Sequence, residues 1–194
     1  VLADLKSYIK AGSEYRTLWV PAEEIIPATT NPAGTATVQY ATSNDAYFVL
    51  LYDSAVTNEN ADFAVAFPGN WDRGQVKLRI YWSPAAAVAV GTYVRFYGDG
   101  SPFGDGDNLT DNVNLDSFIA DDQVIGDNLL HIAEANVLPV MDFTALALSG
   151  DMVHFSLSRI YNYAGPLGGQ HMPVDARVFG VLIQYQVTGV ASAW

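Results

Sequence analysis

Two apolar segments near the C-terminal end decide the fold: Gly150-Asp-Met-Val-His-Phe-Ser-Leu-Ser-Arg159 and Val174-Asp-Ala-Arg-Val-Phe-Gly-Val-Leu-Ile-Gln-Tyr-Gln-Val187. In the first segment, Val153, Phe155 and Leu157 alternate with polar residues. A β-strand sends successive side chains to opposite faces, so this alternation predicts a strand with one buried face.

The second segment predicts a strand that is buried on one face and partly covered on the other. One face carries Phe179, Val181, Ile183, Tyr185 and Val187, and the other carries Val178, Gly180, Leu182, Gln184 and Gln186. The turn-rich loop 162–170 separates the two segments, so we expect both strands at the centre of one sheet. Asp175 and Arg177 are expected to form an exposed ion pair worth at most about 1 kcal/mol.

The rest of the chain supplies further short strands. The clearest alternation runs through residues 75–82, where the inward positions are Val76, Leu78, Ile80 and Trp82. Other strand candidates lie at residues 35–41, 46–53, 62–68, 88–97 and 129–140. About eight to ten short strands at this spacing are typical of a sandwich or a barrel. Long irregular connections favour two packed sheets, so the predicted fold is an all-β, jelly-roll-like antiparallel sandwich.

A short amphipathic helix is predicted before the strands. Its apolar residues recur at helical spacing and would bind a partner surface: Leu2, Leu5, Tyr8 and Ile9. So short a helix is marginal in water by itself and must dock on its own domain or on a neighbour. We therefore divide the chain into an N-terminal helical arm, residues 1–16, and a β-sandwich domain, residues 17–194.

Composition narrows the classes of function. The chain has 194 residues, half of them apolar, and a formal net charge of −12 at pH 7. Such a surface repels phosphates and anionic lipid, so nucleic acid and membrane are not expected partners. No apolar run reaches the roughly 18–20 residues of a membrane span. There is no cysteine, which excludes disulfides, thiol nucleophiles and thiolate metal sites.

An Asp-rich, Gly-rich stretch at residues 98–112 is a candidate metal site. Its carboxylates are Asp99, Asp105, Asp107 and Asp111. Ca²⁺ takes several oxygen ligands from flexible loops, which makes a calcium site conceivable here. The spacing does not fit an EF-hand, and the alternative is a solvated surface loop. No other cofactor is expected.

Signatures of catalysis are missing from the sequence. Asp116, Asp121 and Asp122 are candidate acid–base carboxylates, but adjacent strand residues point to opposite faces. The three histidines are far apart in the chain and have no metal-ligand spacing: His131, His154 and His171. No nucleophile elbow, phosphate-binding loop or dinucleotide fingerprint is present. We therefore expect a protein that is not an enzyme and assign no catalytic residue.

Tyrosines are a second candidate for binding. Five of them lie in or beside predicted strands: Tyr47, Tyr52, Tyr81, Tyr93 and Tyr97. Exposed tyrosines on a sheet can stack against sugars, as in lectin-like modules. The alternative is that they are core or subunit-contact residues.

Three regions of the chain share a pattern. They are Leu18-Trp-Val-Pro-Ala-Glu-Glu-Ile-Ile-Pro27, then Phe67-Pro-Gly-Asn-Trp-Asp-Arg-Gly-Gln-Val-Lys-Leu-Arg-Ile-Tyr-Trp82, and last the two C-terminal segments. Together they resemble small bacteriophage virion proteins and fibre-tip domains. The resemblance implies a jelly-roll-like phage structural protein, commonly oligomeric, and no catalytic residue. Only a short predicted arm precedes Trp19, without a stalk or collagen-like repeat, which favours a capsid decoration (cement) protein.

The leading hypothesis is therefore a non-enzymatic virion structural protein. It would be made in the host cytoplasm, form a homo-oligomer, most simply a trimer, and bind the major capsid protein or another virion protein. The first alternative is a receptor- or glycan-binding fibre-tip module that uses loops and tyrosines. The second alternative is a carbohydrate-active enzyme that uses the Asp-rich loops.

Overall fold

The computed structural model describes residues 14–39, 45–54, 58–108, 116–127, 129–134, 141–142, 152–163, 165 and 169–187. These residues form twelve strands: β1 (Glu14–Pro21), β2 (Ile26–Pro27), β3 (Gly34–Gln39), β4 (Ala46–Tyr52), β5 (Glu59–Ala66), β6 (Trp71–Pro84), β7 (Tyr93–Phe103), β8 (Asp116–Gln123), β9 (His131–Glu134), β10 (Met141–Asp142), β11 (Met152–Arg159) and β12 (Ala176–Val187). A single 3-10 turn covers Ala22–Glu24, and no helix in this part of the chain is long and apolar enough to cross a membrane.

The strands form two antiparallel sheets. The seven-stranded sheet has the order β10-β6-β12-β4-β3, with β1 also paired to β12 and β9 also paired to β6. The five-stranded sheet has the order β2-β5-β11-β7-β8. Eight of these strands follow the orders β4-β12-β6-β9 and β5-β11-β7-β8 of a jelly roll, in which successive strands alternate between the sheets except for the neighbours β7 and β8. The predicted all-β jelly-roll sandwich is confirmed.

The helical arm predicted for residues 1–16 falls mostly outside the described residues, as do its apolar positions Leu2, Leu5, Tyr8 and Ile9. Residues 14–16 are described, and they belong to strand β1. They pair with the C-terminal part of β12, where Glu14 lies opposite Val187 and Arg16 lies opposite Tyr185. The described part of the β-sandwich therefore includes residues 14–16, which precede the predicted boundary at residue 17.

The two C-terminal strands do not share a sheet, which corrects the sequence-based prediction. β11 lies at the centre of the five-stranded sheet between β5 and β7, and β12 lies at the centre of the seven-stranded sheet beside β6. The connection 160–175 is long enough to cross from one layer to the other. Each strand lies at the centre of its own sheet, but the two strands belong to different layers of the sandwich.

The core lies between the two sheets. It contains the residues that the alternation of apolar and polar side chains predicted to be buried. Val76, Leu78, Ile80 and Trp82 of β6 are all at most 2% exposed, which confirms the predicted inward face. Aromatic side chains bridge the layers, with Trp82 edge-on to Phe96 at 6.0 Å between ring centroids. Such contacts each contribute about 0.5–1.5 kcal/mol beyond the burial of their area.

The predicted faces of β12 are wrong at its start, because the strand contains a β-bulge. The register with β6 shifts between Val178 and Gly180, which leaves Phe179 as the extra residue. Before the bulge Val178 is buried in the core, and after it the buried positions are Val181, Ile183, Tyr185 and Val187. Phe179 consequently points out of the sandwich, although alternation had placed it inward.

A buried arginine ties the connection 160–175 to the sheets. Arg159, at the end of β11, is 1% exposed and donates to the carbonyl oxygens of Tyr52, Met172 and Val174 at 3.0, 2.7 and 2.8 Å. Burial lowers the pKa of Arg159 to about 10, so its guanidinium remains charged at neutral pH. The side chain therefore holds the last turn before β12 against β4.

The predicted ion pair between Asp175 and Arg177 does not form. The Asp175 carboxylate accepts the Ser54 backbone N–H at 3.2 Å, and Arg177 Nη2 donates to the Ala85 carbonyl oxygen at 2.6 Å. Asp175 and Arg177 flank Ala176, the first residue of β12, and each side chain binds the backbone of a different neighbouring segment.

Replacing Arg159 by methionine should lower the free energy of unfolding by about 3–5 kcal/mol, because three buried carbonyl groups lose their donor. Urea unfolding followed by tryptophan fluorescence measures this. Arg16→Met is the matched control, since Arg16 forms an exposed pair with Glu14 at 2.9 Å and should change stability by less than about 1 kcal/mol. Equal effects of the two substitutions would show that Arg159 does not hold the connection.

Candidate functional site

An aromatic groove lies on the outer face of the seven-stranded sheet. It arises because β12 changes its neighbour: its residues Ala176–Val178 pair with β4, whereas residues 180–187 pair with β1. The groove has a volume of about 990 Å³ and is lined by Trp19, Pro21, Glu23, Val38, Gln39, Tyr47, Phe48, Tyr81, Ser83, Leu129, Leu130, Arg177 and Phe179. Its walls thus come from β1, β3, β4 and β6, and its floor from β12.

The β-bulge supplies the centre of the groove floor. Phe179 is the bulged residue, at the point where β12 exchanges β4 for β1. Its ring meets Tyr47 of β4 edge-to-face at 5.9 Å and 89°. Tyr47 is 39% exposed, so one wall of the groove presents an aromatic surface to solvent.

Trp19 and Tyr81 form a second aromatic pair in the lining of the groove. Their rings meet edge-to-face at 5.2 Å and 88°. The Trp19 ring lies so close to Gly180 that a Cβ there would be 2.6 Å from Trp19 Cζ2 and 2.5 Å from the Val20 carbonyl oxygen. Trp19 is nevertheless 47% exposed. The sheet therefore supports one side of the indole while much of its surface stays open to solvent.

A few polar side chains lie among the apolar residues that line the groove. Glu23 is exposed at the rim, on the 3-10 turn that follows β1. Arg177 is half-buried, lines the groove and donates to Ala85, just beyond the end of β6. Ser83, opposite Arg177 in the ladder with β6, is 6% exposed. Aromatic walls with a few fixed polar groups are typical of small-molecule sites.

Two of the five tyrosines proposed as a sugar platform, Tyr47 and Tyr81, line the groove. Tyr52 is buried in the core, where its hydroxyl donates to the Leu157 carbonyl oxygen at 3.2 Å and burial raises its pKa. Tyr93 and Tyr97 belong to β7 in the other sheet. Alternation had placed Phe179 inside the core, and the sequence did not single out Trp19 as a binding residue, so neither was found as a groove residue.

The three predicted calcium ligands that the structure describes do not converge on one site: Asp99, Asp105 and Asp107. Asp99 lies in β7 and accepts the Tyr97 hydroxyl at 2.6 Å, whereas Asp107 lies in the following loop and accepts the Gly104 backbone N–H at 2.7 Å. Asp105 is exposed in the same loop, and Asp111 falls outside the described residues. Within the described part of the chain, no three acidic or histidine side chains gather in a way that would hold a metal ion.

The adjacent carboxylates of β8 take different partners. Asp121 binds Arg95 through two hydrogen bonds of 2.6 and 2.7 Å and also accepts the Tyr163 hydroxyl. Burial raises its pKa, but these donors outweigh burial and lower the pKa of Asp121 overall. Asp122 accepts Trp82 Nε1–H at 2.9 Å, and burial raises its pKa. The two carboxylates therefore do not form a cooperating acid–base pair.

The three histidines also have different neighbours. His131 is 4% exposed and stacks on Trp82 at 4.6 Å. His171 contacts the Ser54 carbonyl oxygen at 3.1 Å, and burial lowers its pKa. His154 lies in β11 of the five-stranded sheet, opposite Ala64 and Ser101. These three side chains do not assemble a site.

A second surface feature is an exposed apolar patch at one end of the sandwich, here called the end patch. Its residues are Val90, Ile125, Leu129 and Leu130, which are 69, 66, 48 and 58% exposed. The two loops that carry them are joined by the hydrogen bond from Gly91 N–H to the Val124 carbonyl oxygen at 2.8 Å. Leu129 and Leu130 also line the aromatic groove, so the two features adjoin.

Comparison with known proteins gives distant structural likenesses. No family model matches the chain, and no curated protein sequence matches it. A solved structure of infectious bursal disease virus matches 91% of this chain at 10% identity and a TM-score of 0.42, and this chain spans only 32% of the viral one. The family 11 carbohydrate-binding module of Clostridium thermocellum, solved with a β-1,3-1,4-mixed-linked tetrasaccharide, matches 94% of this chain and 100% of its own at 8% identity and a TM-score of 0.42. A family 28 carbohydrate-binding module specific for non-crystalline cellulose matches 86% of each chain at 13% identity and a TM-score of 0.32. At these low scores, the assignment of the fold rests on the strand order itself.

Gly180→Ala should remove the support of Trp19, because the added Cβ collides with the indole and with the Val20 carbonyl group. We expect a loss of about 1–3 kcal/mol in the free energy of unfolding and a shifted tryptophan emission maximum. Gly106→Ala is the control, since Gly106 also has a positive φ, 88°, but a Cβ added there would meet no atom within 4 Å. An unchanged emission spectrum for Gly180→Ala would refute this packing of Trp19.

Proposed function

We propose that the chain is a non-enzymatic protein of a bacteriophage virion whose jelly-roll domain binds a glycan in the aromatic groove. The observation that carries the proposal is that the supported, half-exposed ring of Trp19 lines the same groove as the Tyr47–Phe179 pair. It raises the alternative of a receptor- or glycan-binding module above the capsid decoration role favoured by the sequence.

The shape and chemistry of the groove suit a sugar chain. A volume of about 990 Å³ lies at the upper end of the range of ligand pockets, which is about 300–1,000 Å³. The apolar faces of pyranose rings stack on aromatic side chains, while their hydroxyl groups need hydrogen-bond partners nearby. Gln39, Ser83 and Arg177 supply such partners along the lining. An apolar ligand alone would leave these groups unpaired, and this favours a glycan.

Binding without catalysis accords with the charges in the groove. Glycoside hydrolysis requires two carboxyl groups on either side of the bond that is cleaved. Glu23 is the single carboxylate among the described residues that line the groove. We therefore assign no catalytic residue. The proposed ligand is bound and released without chemical change.

The assignment to a virion follows from the resemblance of three sequence regions, which occupy structurally important positions. The first region carries Trp19 of the groove, and the second begins with an aromatic corner. In that corner Phe67 stacks on Trp71 at 4.3 Å and meets Tyr185 edge-to-face at 5.2 Å. The shared pattern thus includes residues of both the groove and the core. The protein would be made in the host cytoplasm and act on the assembled particle.

The end patch favours a second candidate function, that of an oligomeric capsid decoration (cement) protein. Contiguous exposed apolar side chains on a soluble domain mark a protein contact. Such a contact would join copies of this chain, most simply in a trimer, or join it to the major capsid protein or another virion protein. This candidate and glycan binding use adjoining surfaces, so separate substitutions can test them.

Trp19→Ala should weaken glycan binding by up to about tenfold, because a stacked aromatic ring contributes about 0.5–1.5 kcal/mol beyond the burial of its area. A panel of purified oligosaccharides, with hits followed by isothermal titration, measures this. Tyr161→Ala is the matched control, since Tyr161 is 46% exposed but lies outside the groove. A panel without a hit, or equal binding by both variants, would refute the groove as a glycan site.

Ile125→Asp should break the contact made by the end patch, because a charge is costly in an apolar interface. We expect a smaller particle mass in light scattering, or reduced co-sedimentation with virions. Ile26→Asp serves for comparison, as Ile26 is 69% exposed on the distant strand β2. If both variants keep the mass and the co-sedimentation of the unaltered chain, the second candidate is wrong.

A further inference from the structure

The positive charges of the described residues are mostly neutralised within the protein. Arg16, Arg79 and Arg95 form ion pairs with Glu14, Glu134 and Asp121. Arg159 is buried among backbone carbonyl groups. Arg177 differs from them, because it lines the aromatic groove and forms no ion pair with the described carboxylates.

Arg177 retains donors that the described residues do not use. A guanidinium has five N–H donors in a planar fork, and the hydrogen bond to the Ala85 carbonyl oxygen uses one of them. That bond of 2.6 Å holds the side chain beside the C-terminal end of β6. Arg177 is half-buried, so its charge is screened less than that of an exposed arginine. A fixed, partly desolvated fork is suited to a planar carboxylate.

We propose that the glycan bound in the aromatic groove is acidic, and that Arg177 binds the carboxylate of one of its sugars. This inference rests on the proposed glycan-binding function and specifies its ligand class. The ligand is a hexuronic or a nonulosonic acid within an oligosaccharide, since both present a carboxylate beside a pyranose ring.

The charge balance favours a single carboxylate over a phosphate or a sulfated chain. The protein carries a formal net charge of −12, and Glu23 stands at the rim of the same groove. One arginine balances one negative charge there, whereas a phosphate monoester brings between about 1.5 and 2 charges. The exposed Glu23 repels further acidic groups, so we expect the bound carboxylate to lie beside Arg177.

Matched acidic and neutral sugars test the inference. The probes each carry at most one carboxylate: cellobiouronic acid and its carboxyl-reduced form, cellobiose, and sialyllactose and lactose, titrated into the whole chain by calorimetry. We expect the acidic member of one pair to bind at least about tenfold more tightly, as for a hydrogen bond to a charged group. The pair that shows the difference distinguishes hexuronic from nonulosonic acid.

Arg177→Gln should remove the preference for the acidic probe and retain binding of the neutral one. Lys77→Gln is the control, because it makes the same change in net charge at an exposed position outside the groove. Arg177→Lys keeps the charge but loses the planar fork, so it should retain only part of the preference. Circular dichroism verifies that each variant is folded.

The outcomes separate the two levels of the proposal. Equal affinity of the unaltered chain for the acidic and neutral members of each pair overturns the acidic ligand and leaves glycan binding intact. An equal loss of preference in Lys77→Gln and Arg177→Gln also overturns it, since it reflects net charge alone. Binding of none of the four probes, together with a glycan panel without hits, overturns the proposed function itself.

Discussion

The surface of this jelly roll depends on one constraint, which is that the central strand β12 cannot keep the same neighbour along its whole length. It pairs with β6 throughout, while its other edge passes from β4 to β1. Two strands that leave one edge at different points must diverge, and the divergence opens the aromatic groove. The bulge at Phe179 lies at this exchange and turns an aromatic side chain from the core into the groove.

Strand exchange and the packing of Trp19 are linked through Gly180. This residue follows the bulge and lies opposite Pro21 of β1 and Tyr81 of β6. Because it has no side chain, the indole of Trp19 can lie directly against the backbone of β12. A rigid aromatic platform loses little conformational entropy when a ligand stacks on it, which favours affinity. The fold therefore fixes the platform before any ligand arrives.

Local pattern in the sequence predicted the elements better than their partners. The alternation of β6 gave its buried face correctly, because both faces of that strand keep one phase from Val76 to Trp82. Alternation failed at Phe179, since a bulge changes the phase and the residues around it are apolar on both faces. It also could not reveal that β11 and β12 lie in opposite layers. That information resides in pairings between residues more than 50 positions apart, such as Phe155 with Gly100.

The candidate site could not be predicted from the sequence for the same reason, because it depends on pairings between distant segments. Tyr47 and Tyr81 were identified as binding candidates by residue type, but the groove joins them to Trp19, Phe179 and Arg177 from other segments of the chain. The acidic residues that the sequence emphasised mostly belong to the five-stranded sheet and its loops, where Asp99 and Asp121 already bind Tyr97 and Arg95. The outer face of the seven-stranded sheet instead carries the exposed aromatic rings together with Lys77, the Arg79–Glu134 ion pair, Glu23 and Arg177. Arg177 is the cation among the described residues that line the groove, so the rings that would stack on a sugar and the group that would bind its carboxylate belong to one site.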